Sequence, residues 1–152
     1  MNRGYRYSKL SHLHIDTTTD DCQRLCEEAI EIASTRVLHC PDFGISCGLR
    51  TPEEQWELYM KGRITSPSGY QISNPAEVVT NCDGILIKSN HQSGNALDFY
   101  AYVDGKTNYE PSNLALVATC FFAAAEELGL SIKWGGNFFT MADGPHIEII
   151  KK

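Results

Sequence analysis

The sequence predicts a small α+β domain in which an antiparallel sheet is flanked by helices. Three observations favour this class: a length of 152 residues, segments with helical spacing of apolar side chains, and short strand-like segments between them. The mixed order of helices and strands is typical of α+β domains with antiparallel sheets. Because one domain usually takes about 150 residues, we expect residues 1–152 to form a single domain.

Three segments are predicted to be helical. In residues 17–35, apolar or thiol side chains recur at i, i+3, i+4 and i+7, the spacing of one buried helix face. Residues 52–61 follow Thr51, a good N-cap, and begin with a proline that suits the first helical position. Residues 113–128 form the longest apolar segment, with Ser112 as its expected cap.

Three shorter segments are predicted to be strands, at residues 43–49, 95–103 and 146–150. Residues 62–90 contain several prolines and glycines and are expected to be an irregular loop. A loop of this length in a compact domain is usually functional. The sequence therefore directs attention to the residues that follow it.

Composition excludes several classes of partner. The net charge is −6 at pH 7, so the chain lacks the basic surface that nucleic acids or anionic membranes require. No apolar run approaches the length of about 20 residues that a membrane helix needs. The positively charged N-terminus has no apolar segment behind it, so we expect no signal peptide, synthesis in a reducing cytoplasm and six free thiols.

Metal-binding side chains occur in two separate segments, residues 89–98 and 143–148. His91, Asp98 and His146 supply two imidazoles and one carboxylate, and a catalytic zinc ion takes three protein ligands and keeps one open position. Each residue also has a plainer interpretation. A single histidine is most often a surface or core residue, and Asp98 could be a buried carboxylate that accepts backbone hydrogen bonds.

Asp143 lies three residues before His146, across a Gly-Pro turn. A carboxylate in that position could overhang the metal and exchange protons with a coordinated water and a leaving amine. The alternative is that Gly144-Pro145 is simply a turn. Spacing alone leaves both interpretations open.

The cysteines offer a second arrangement to consider. Cys22, Cys26, Cys40 and Cys47 could form a structural zinc site, but no CxxC motif is present. The first two lie on the apolar face of the first predicted helix. Buried unreactive thiols, with Cys47 also in the core, are the favoured interpretation.

Three motifs resemble those of a known enzyme group. Residues 89–98 match SxHxxGxAxD, the signature of the zinc D,D- and L,D-peptidases of the VanX and VanY type. Asp143-x-x-His146 is similar to the second signature, and residues 48–55 are similar to the segment G-x-R-[ST]-x-x-x-Q. Over residues 8–150, the chain is most similar to the bacteriophage L-alanyl-D-glutamate peptidases, a group of endolysins. This similarity includes residues 89–99, the short length and the loop Trp134-Gly135-Gly136.

The resemblance implies roles for individual residues. His91, Asp98 and His146 would bind Zn²⁺, and Asp143 would be the general base and acid. Arg50 would polarise the scissile carbonyl and stabilise the oxyanion, and Ser89 would lie beside the substrate. The implied fold is that of the hedgehog and D-Ala-D-Ala peptidase domains.

The same resemblance implies a biological setting. The substrate would be bacterial peptidoglycan, cut at the L-Ala–D-Glu amide by a zinc-activated water. We expect a monomer without a separate wall-binding domain, which accumulates in the host cytoplasm and reaches the wall when the inner membrane is breached. Two alternatives stay open: a D-Ala-D-Ala dipeptidase or carboxypeptidase of the same fold, and a non-catalytic zinc-binding wall module.

Overall fold

The computed structural model describes residues 1–138 and 141–150. The helices in these ranges are α1 (Lys9–Ile15), α2 (Asp20–Thr35), α3 (Pro52–Met60) and α4 (Pro111–Leu128). The strands are β1 (Asp42–Cys47), β2 (Arg63–Ser66), β3 (Gly69–Ile72), β4 (Ala96–Val103), β5 (Lys106–Asn108), β6 (Ile132–Trp134) and β7 (His146–Ile149). Short 3₁₀ turns occupy Pro75–Glu77, Asn90–Ser93 and Gly135–Asn137. The α+β prediction is confirmed.

The main sheet is antiparallel and has the order β1-β4-β7-β6, with β5 paired to the far end of β4. The central strand β4 contacts three other strands, and its side chains alternate between two faces. Leu97, Phe99 and Ala101 are fully buried against the helices α2 and α4. This face contains the hydrophobic core, so the other face of β4 is left for polar side chains.

Helices α2 and α4 pack against each other and cover the core face of the sheet. Helix α2 begins where Thr19 accepts a hydrogen bond from the backbone N–H of Cys22 at 3.4 Å, so Thr19 is the cap. Helix α4 begins at Pro111, and its Glu110 cap makes no side-chain hydrogen bond. The prediction of Ser112 as the cap is wrong, because the fixed φ of Pro111 already starts the helix two residues earlier than predicted.

Helix α1 packs against the edge strand β1, and its Ile15 joins the hydrophobic core. Ser11 accepts a hydrogen bond from the backbone N–H of Ile45 at 3.0 Å. The close approach requires glycine: a Cβ on Gly48 would stand 2.2 Å from the carbonyl oxygen of His14. The sequence prediction missed α1 because only Ser11 and Ile15 of its residues are buried, which leaves no helical apolar pattern.

The sequence predicted that residues 62–90 form an irregular loop, but part of this segment is regular. Strands β2 and β3 form an antiparallel hairpin there. The hairpin escaped prediction because its side chains are exposed or half-buried, so they show no alternation of apolar and polar residues.

In the described part of the chain, no helix combines the length and apolarity needed to cross a membrane.

Candidate metal centre and active site

The two motif segments meet at the centre of the sheet. Strands β4 and β7 pair so that Asp98 stands opposite His146, and their side chains lie on the face away from the core. His91 belongs to the 3₁₀ turn that precedes β4. Ser89 caps this turn, and Gly94 ends it with a φ of 74°, a conformation that glycine adopts without strain. Local capping therefore aims His91 at the neighbouring strands.

Three ligand atoms converge at this point. His91 Nε2 lies 3.2 Å from His146 Nδ1, and Asp98 Oδ1 lies 3.3 Å from each nitrogen. A tetrahedral cation bound at about 2.0–2.1 Å would hold its ligand atoms about 3.3 Å apart. The donor set and its spacing therefore fit a metal ion.

The remaining nitrogen of each imidazole is occupied by an acceptor. His91 Nδ1 lies 2.9 Å from the carbonyl oxygen of Gly48, and His146 Nε2 lies 2.9 Å from Glu148 Oε2. A carbonyl or a carboxylate can only accept, so these nitrogens carry the protons. When the imidazoles are neutral, as a bound metal requires, the lone pairs of His91 Nε2 and His146 Nδ1 are thereby directed at the common point with Asp98, as in many metal sites.

The electrostatics of the cluster favour positive charge. Burial disfavours the charged form of Asp98, but hydrogen bonds from His146 and His91 outweigh this effect and hold the pKa of Asp98 well below its usual range. Burial lowers the pKa of His91, and its hydrogen bonds with Asp98 and Cys47 outweigh this and raise the pKa to about 9. The carboxylate thus attracts a cation, and a metal ion would compete with protons for the imidazoles.

Arg50 is held against the same carboxylate. Its Nη2 lies 3.4 Å from Asp98 Oδ2, and its Nη1 donates to Gln55 Oε1 at 2.9 Å. Gln55 is fully buried and donates in turn to the carbonyl oxygen of Cys82 at 2.8 Å. The motif of residues 48–55 therefore fixes the guanidinium of Arg50 beside the metal-binding atoms, just before α3.

Asp143 stands at the edge of the cluster, and a carboxylate oxygen lies within 4.8 Å of ligand atoms of Asp98 and His146. Its backbone N–H donates to the carbonyl oxygen of Gly135 at 2.8 Å, and Trp134 Nε1 donates to the carbonyl oxygen of Gly144 at 2.7 Å. The Trp-Gly-Gly loop thus positions Asp143. Partial burial and then the negative charge of Asp98 raise the pKa of the Asp143 carboxyl.

All six predicted site residues line one cavity of about 570 Å³. They are Arg50, Ser89, His91, Asp98, Asp143 and His146. Ser89 Oγ accepts the backbone N–H of His91 at 3.3 Å, so the hydroxyl shapes the turn as well as facing the cavity. Residues separated by almost one hundred positions in the chain are thus brought to one surface.

The sequence prediction missed two neighbours of the cluster. Glu148 lies against His146, and its position two residues further along a strand, on the same face, was an available signal. Cys47 is half-buried, and its Sγ lies 3.8 Å from His91 Nδ1 and 3.6 Å from Arg50 Nη2. The expectation that Cys47 belongs to the core is wrong, because the bulge at the end of β1 pairs it with Asp98.

Cys47, His91 and Asp98 also form a group able to hold a metal. However, the His91 nitrogen nearest the thiol is Nδ1, which already faces the carbonyl oxygen of Gly48 at 2.9 Å. The arrangement with His146 uses the imidazole nitrogens that have free lone pairs. Cys22, Cys26 and Cys40 are buried, as expected from the sequence, and Cys120 is buried as well.

Comparison with known proteins agrees with this site. Residues 3–150 match the family described as phage L-alanyl-D-glutamate peptidase. The L-alanyl-D-glutamate peptidase of Escherichia phage T5 is 23% identical over 159 residues, which cover 97% of this chain and 99% of that protein.

A solved structure is similar along almost the whole length. The crystal structure of the Serratia marcescens L-Ala D-Glu endopeptidase ChiX superposes with a TM-score of 0.68 at 25% identity, covering 97% of this chain and 92% of ChiX. The match to the family extends over both motif segments and the Trp-Gly-Gly loop. The chain is therefore a peptidase that belongs to the phage L-alanyl-D-glutamate peptidase family.

Proposed function

We propose that this protein is a zinc-dependent endolysin that hydrolyses the amide between L-Ala and D-Glu in the peptide stem of peptidoglycan. One observation carries the proposal: His91 Nε2, His146 Nδ1 and Asp98 Oδ1 converge within 3.3 Å of one another, inside a cavity that also contains Arg50 and Asp143. The names of the T5 and Serratia relatives support the choice of bond.

Zinc is the proposed ion because two imidazoles and one carboxylate form a common ligand set of catalytic zinc sites. When bound, zinc supplies a Lewis acid and lowers the pKa of a coordinated water toward about 7. His91, His146 and Asp98 would hold the ion. Gly48 and Glu148 would keep the two imidazoles in the required tautomers.

Asp143 is the proposed general base and acid. Its carboxylate takes the proton of the attacking water and returns it to the nitrogen of the departing D-Glu. Burial and the charge of Asp98 raise the pKa of this carboxyl, which makes it a better base than an ordinary aspartate. The Trp-Gly-Gly loop supports this role by fixing the backbone of Asp143.

Arg50 is proposed to stabilise the negative charge that develops on the carbonyl oxygen of L-Ala. Its guanidinium is pre-positioned by Gln55 and Asp98, so little reorganisation is needed when the charge appears. Ser89 is proposed to contact the substrate from the wall of the cavity. We place the enzyme in the host cytoplasm on synthesis and at the wall after membrane breach, as a monomer.

Digestion of purified sacculi tests the proposed bond. Mass spectrometry should find new N-terminal D-Glu in the products, and release of free D-Ala would instead identify a dipeptidase or carboxypeptidase. The zinc content of the protein, measured by atomic absorption, should be one ion per chain. Zinc-free protein with full activity would contradict the metal dependence.

A substitution separates catalysis from mere binding. Asp143→Asn keeps the size of the side chain and should leave zinc bound while lowering the rate by about 10²–10⁴-fold, the usual contribution of a general base. Glu27→Gln, on the exposed face of α2, is the matched control and should leave the rate unchanged. Unchanged activity in Asp143→Asn would exclude Asp143 as the base. An inactive wild-type protein that still binds zinc and sacculi would indicate a non-catalytic wall module.

A further inference from the structure

A second cavity lies at the other end of β4. Its volume is about 380 Å³, within the range of small-molecule sites. It is bounded by the segment before α1, by α1 itself, and by β1 and β4. The lining residues are Arg6, Ser8, Ser11, Asp42, Phe43, Gly44, Tyr100 and Tyr102.

This cavity and the active site open on the same face of the sheet. Alternate residues of β4 point to one face, so Asp98 lines the first cavity while Tyr100 and Tyr102 line the second. At a rise of about 3.3 Å per residue, the two tyrosines stand about 7 and 13 Å along the strand from Asp98. A ligand that extends from the active site along β4 would therefore reach them.

The second cavity offers polar groups without internal partners. In the described ranges, Arg6 makes no ion pair, and Asp42 accepts only from the backbone N–H of Phe43, at 2.8 Å. Partial burial raises the pKa of Asp42, as expected for a carboxyl without a cationic partner. The hydroxyls of Tyr100 and Tyr102 likewise make no hydrogen bond to the described residues. These donors and acceptors are available to a ligand.

The combination has a specific chemical character. Tyrosine rings present a flat apolar surface with a polar edge, which suits the C–H faces and hydroxyls of a sugar ring. Arg6 and Asp42 offer charge-assisted hydrogen bonds to hydroxyl and acetamido groups. With one potential positive charge and one negative charge, the cavity suits a neutral ligand more than an ion.

We propose that this cavity binds the glycan strand of peptidoglycan, as a subsite for an N-acetylated amino sugar. The inference rests on the proposed function, because the scissile L-Ala–D-Glu bond is close to the glycan. Only L-Ala and a lactyl ether separate that bond from the muramic acid ring. Two such units span about 7 Å when extended, which is the distance along β4 from Asp98 to Tyr100.

The test compares two substrates with one variant. Tyr102→Ala should lower kcat/KM on intact sacculi by about tenfold, as expected for loss of one aromatic contact. It should leave kcat/KM on a synthetic stem peptide without sugar unchanged. Tyr109→Ala is the matched control, because Tyr109 is exposed to 53% against 46% for Tyr102 and lies outside the cavity.

Direct binding decides the matter even if the free peptide is a poor substrate. The N-acetylglucosamine–N-acetylmuramic acid disaccharide, titrated into Asp143→Asn protein by calorimetry, should bind, and Tyr102→Ala in the same background should abolish the heat. No binding, or equal losses on both substrates, would overturn the glycan subsite. Failure of wild-type protein to release D-Glu termini from sacculi would instead reject the proposed function, which the disaccharide titration does not test.

Discussion

The two faces of β4 differ in what their side chains do. Leu97, Phe99 and Ala101 are fully buried in the core, whereas Asp98 and Tyr100 on the other face line cavities. On the core face, burial of apolar surface stabilises the fold without any need for partners. On the cavity face, the half-buried carboxylate of Asp98 is stabilised by the imidazoles and the guanidinium that surround it. Because successive residues of β4 point to opposite faces, the residues that stabilise the fold and the residues that line the cavities alternate within one strand.

The largest expected effect is on the cavity face. His91→Ala should remove bound zinc and lower the rate of sacculus hydrolysis by at least about 10³-fold, since both the metal and its activated water are lost. Atomic absorption and a hydrolysis assay measure the two quantities. Thermal stability should fall as well, because zinc stabilises the folded state by mass action.

His39→Asn is the control for His91→Ala. His39 has a positive φ of 60°, which asparagine tolerates. The control should keep zinc and activity at the level of the wild-type protein. Equal zinc content in His91→Ala and wild type would reject His91 as a ligand.

A substitution on the core face should act on stability instead. Phe99→Ala removes a fully buried ring that packs on Phe121 at a centroid distance of 5.5 Å. The free energy of unfolding, measured by urea titration, should fall by about 3–5 kcal/mol. The folded fraction should retain one zinc per chain, and a specific loss of zinc would show that the two faces are not separable.

A smaller effect is expected at the residue behind His146. Glu148→Gln keeps an acceptor for His146 Nε2 but removes the negative charge that makes the imidazole a stronger ligand. Zinc affinity, measured by competition with a chelator, should fall by about 10–100-fold. Glu31→Gln, exposed on α2, is the control. Unchanged affinity would show that Glu148 does not support the metal.

A further effect is expected in the pH dependence of the zinc-free protein. The pKa of His91 is raised to about 9, mainly by its hydrogen bonds with Asp98 and Cys47 against the effect of burial. Such a group stabilises the fold fully below its unfolded pKa of about 6.5, and the contribution disappears as the pH rises through 9. Asp98, with a lowered pKa, stays ionised throughout this window.

The melting temperature of chelator-treated protein should therefore fall between pH 6.5 and 9. His91→Gln should reduce this dependence without abolishing it, because burial lowers the pKa of His146 but hydrogen bonds with Asp98 and Glu148 outweigh this and raise it as well. A flat profile in the chelator-treated wild-type protein would contradict the proposed charge coupling between His91 and Asp98.

Prediction from sequence succeeded where a pattern is local and failed where it depends on packing. Apolar periodicity located α2 and α4, and the Thr51-Pro52 pair located the start of α3. Helix α1 and the hairpin β2-β3 were missed because their exposed side chains give no periodic signal. The cap of α4 was misplaced because proline, rather than a hydroxyl, starts that helix.

Motif spacing left the candidate site open, and the resemblance to a known peptidase family selected His91, Asp98, His146, Arg50, Ser89 and Asp143 as one set. Spacing carries no information on which imidazole nitrogen is free or on what holds each ring. Those properties depend on Gly48, just after β1, and on Glu148, which lies in the same strand as His146. The contact between Gly48 and His91 is a tertiary one, and pairing between distant segments is settled by burial of the whole core rather than by any local run of residues.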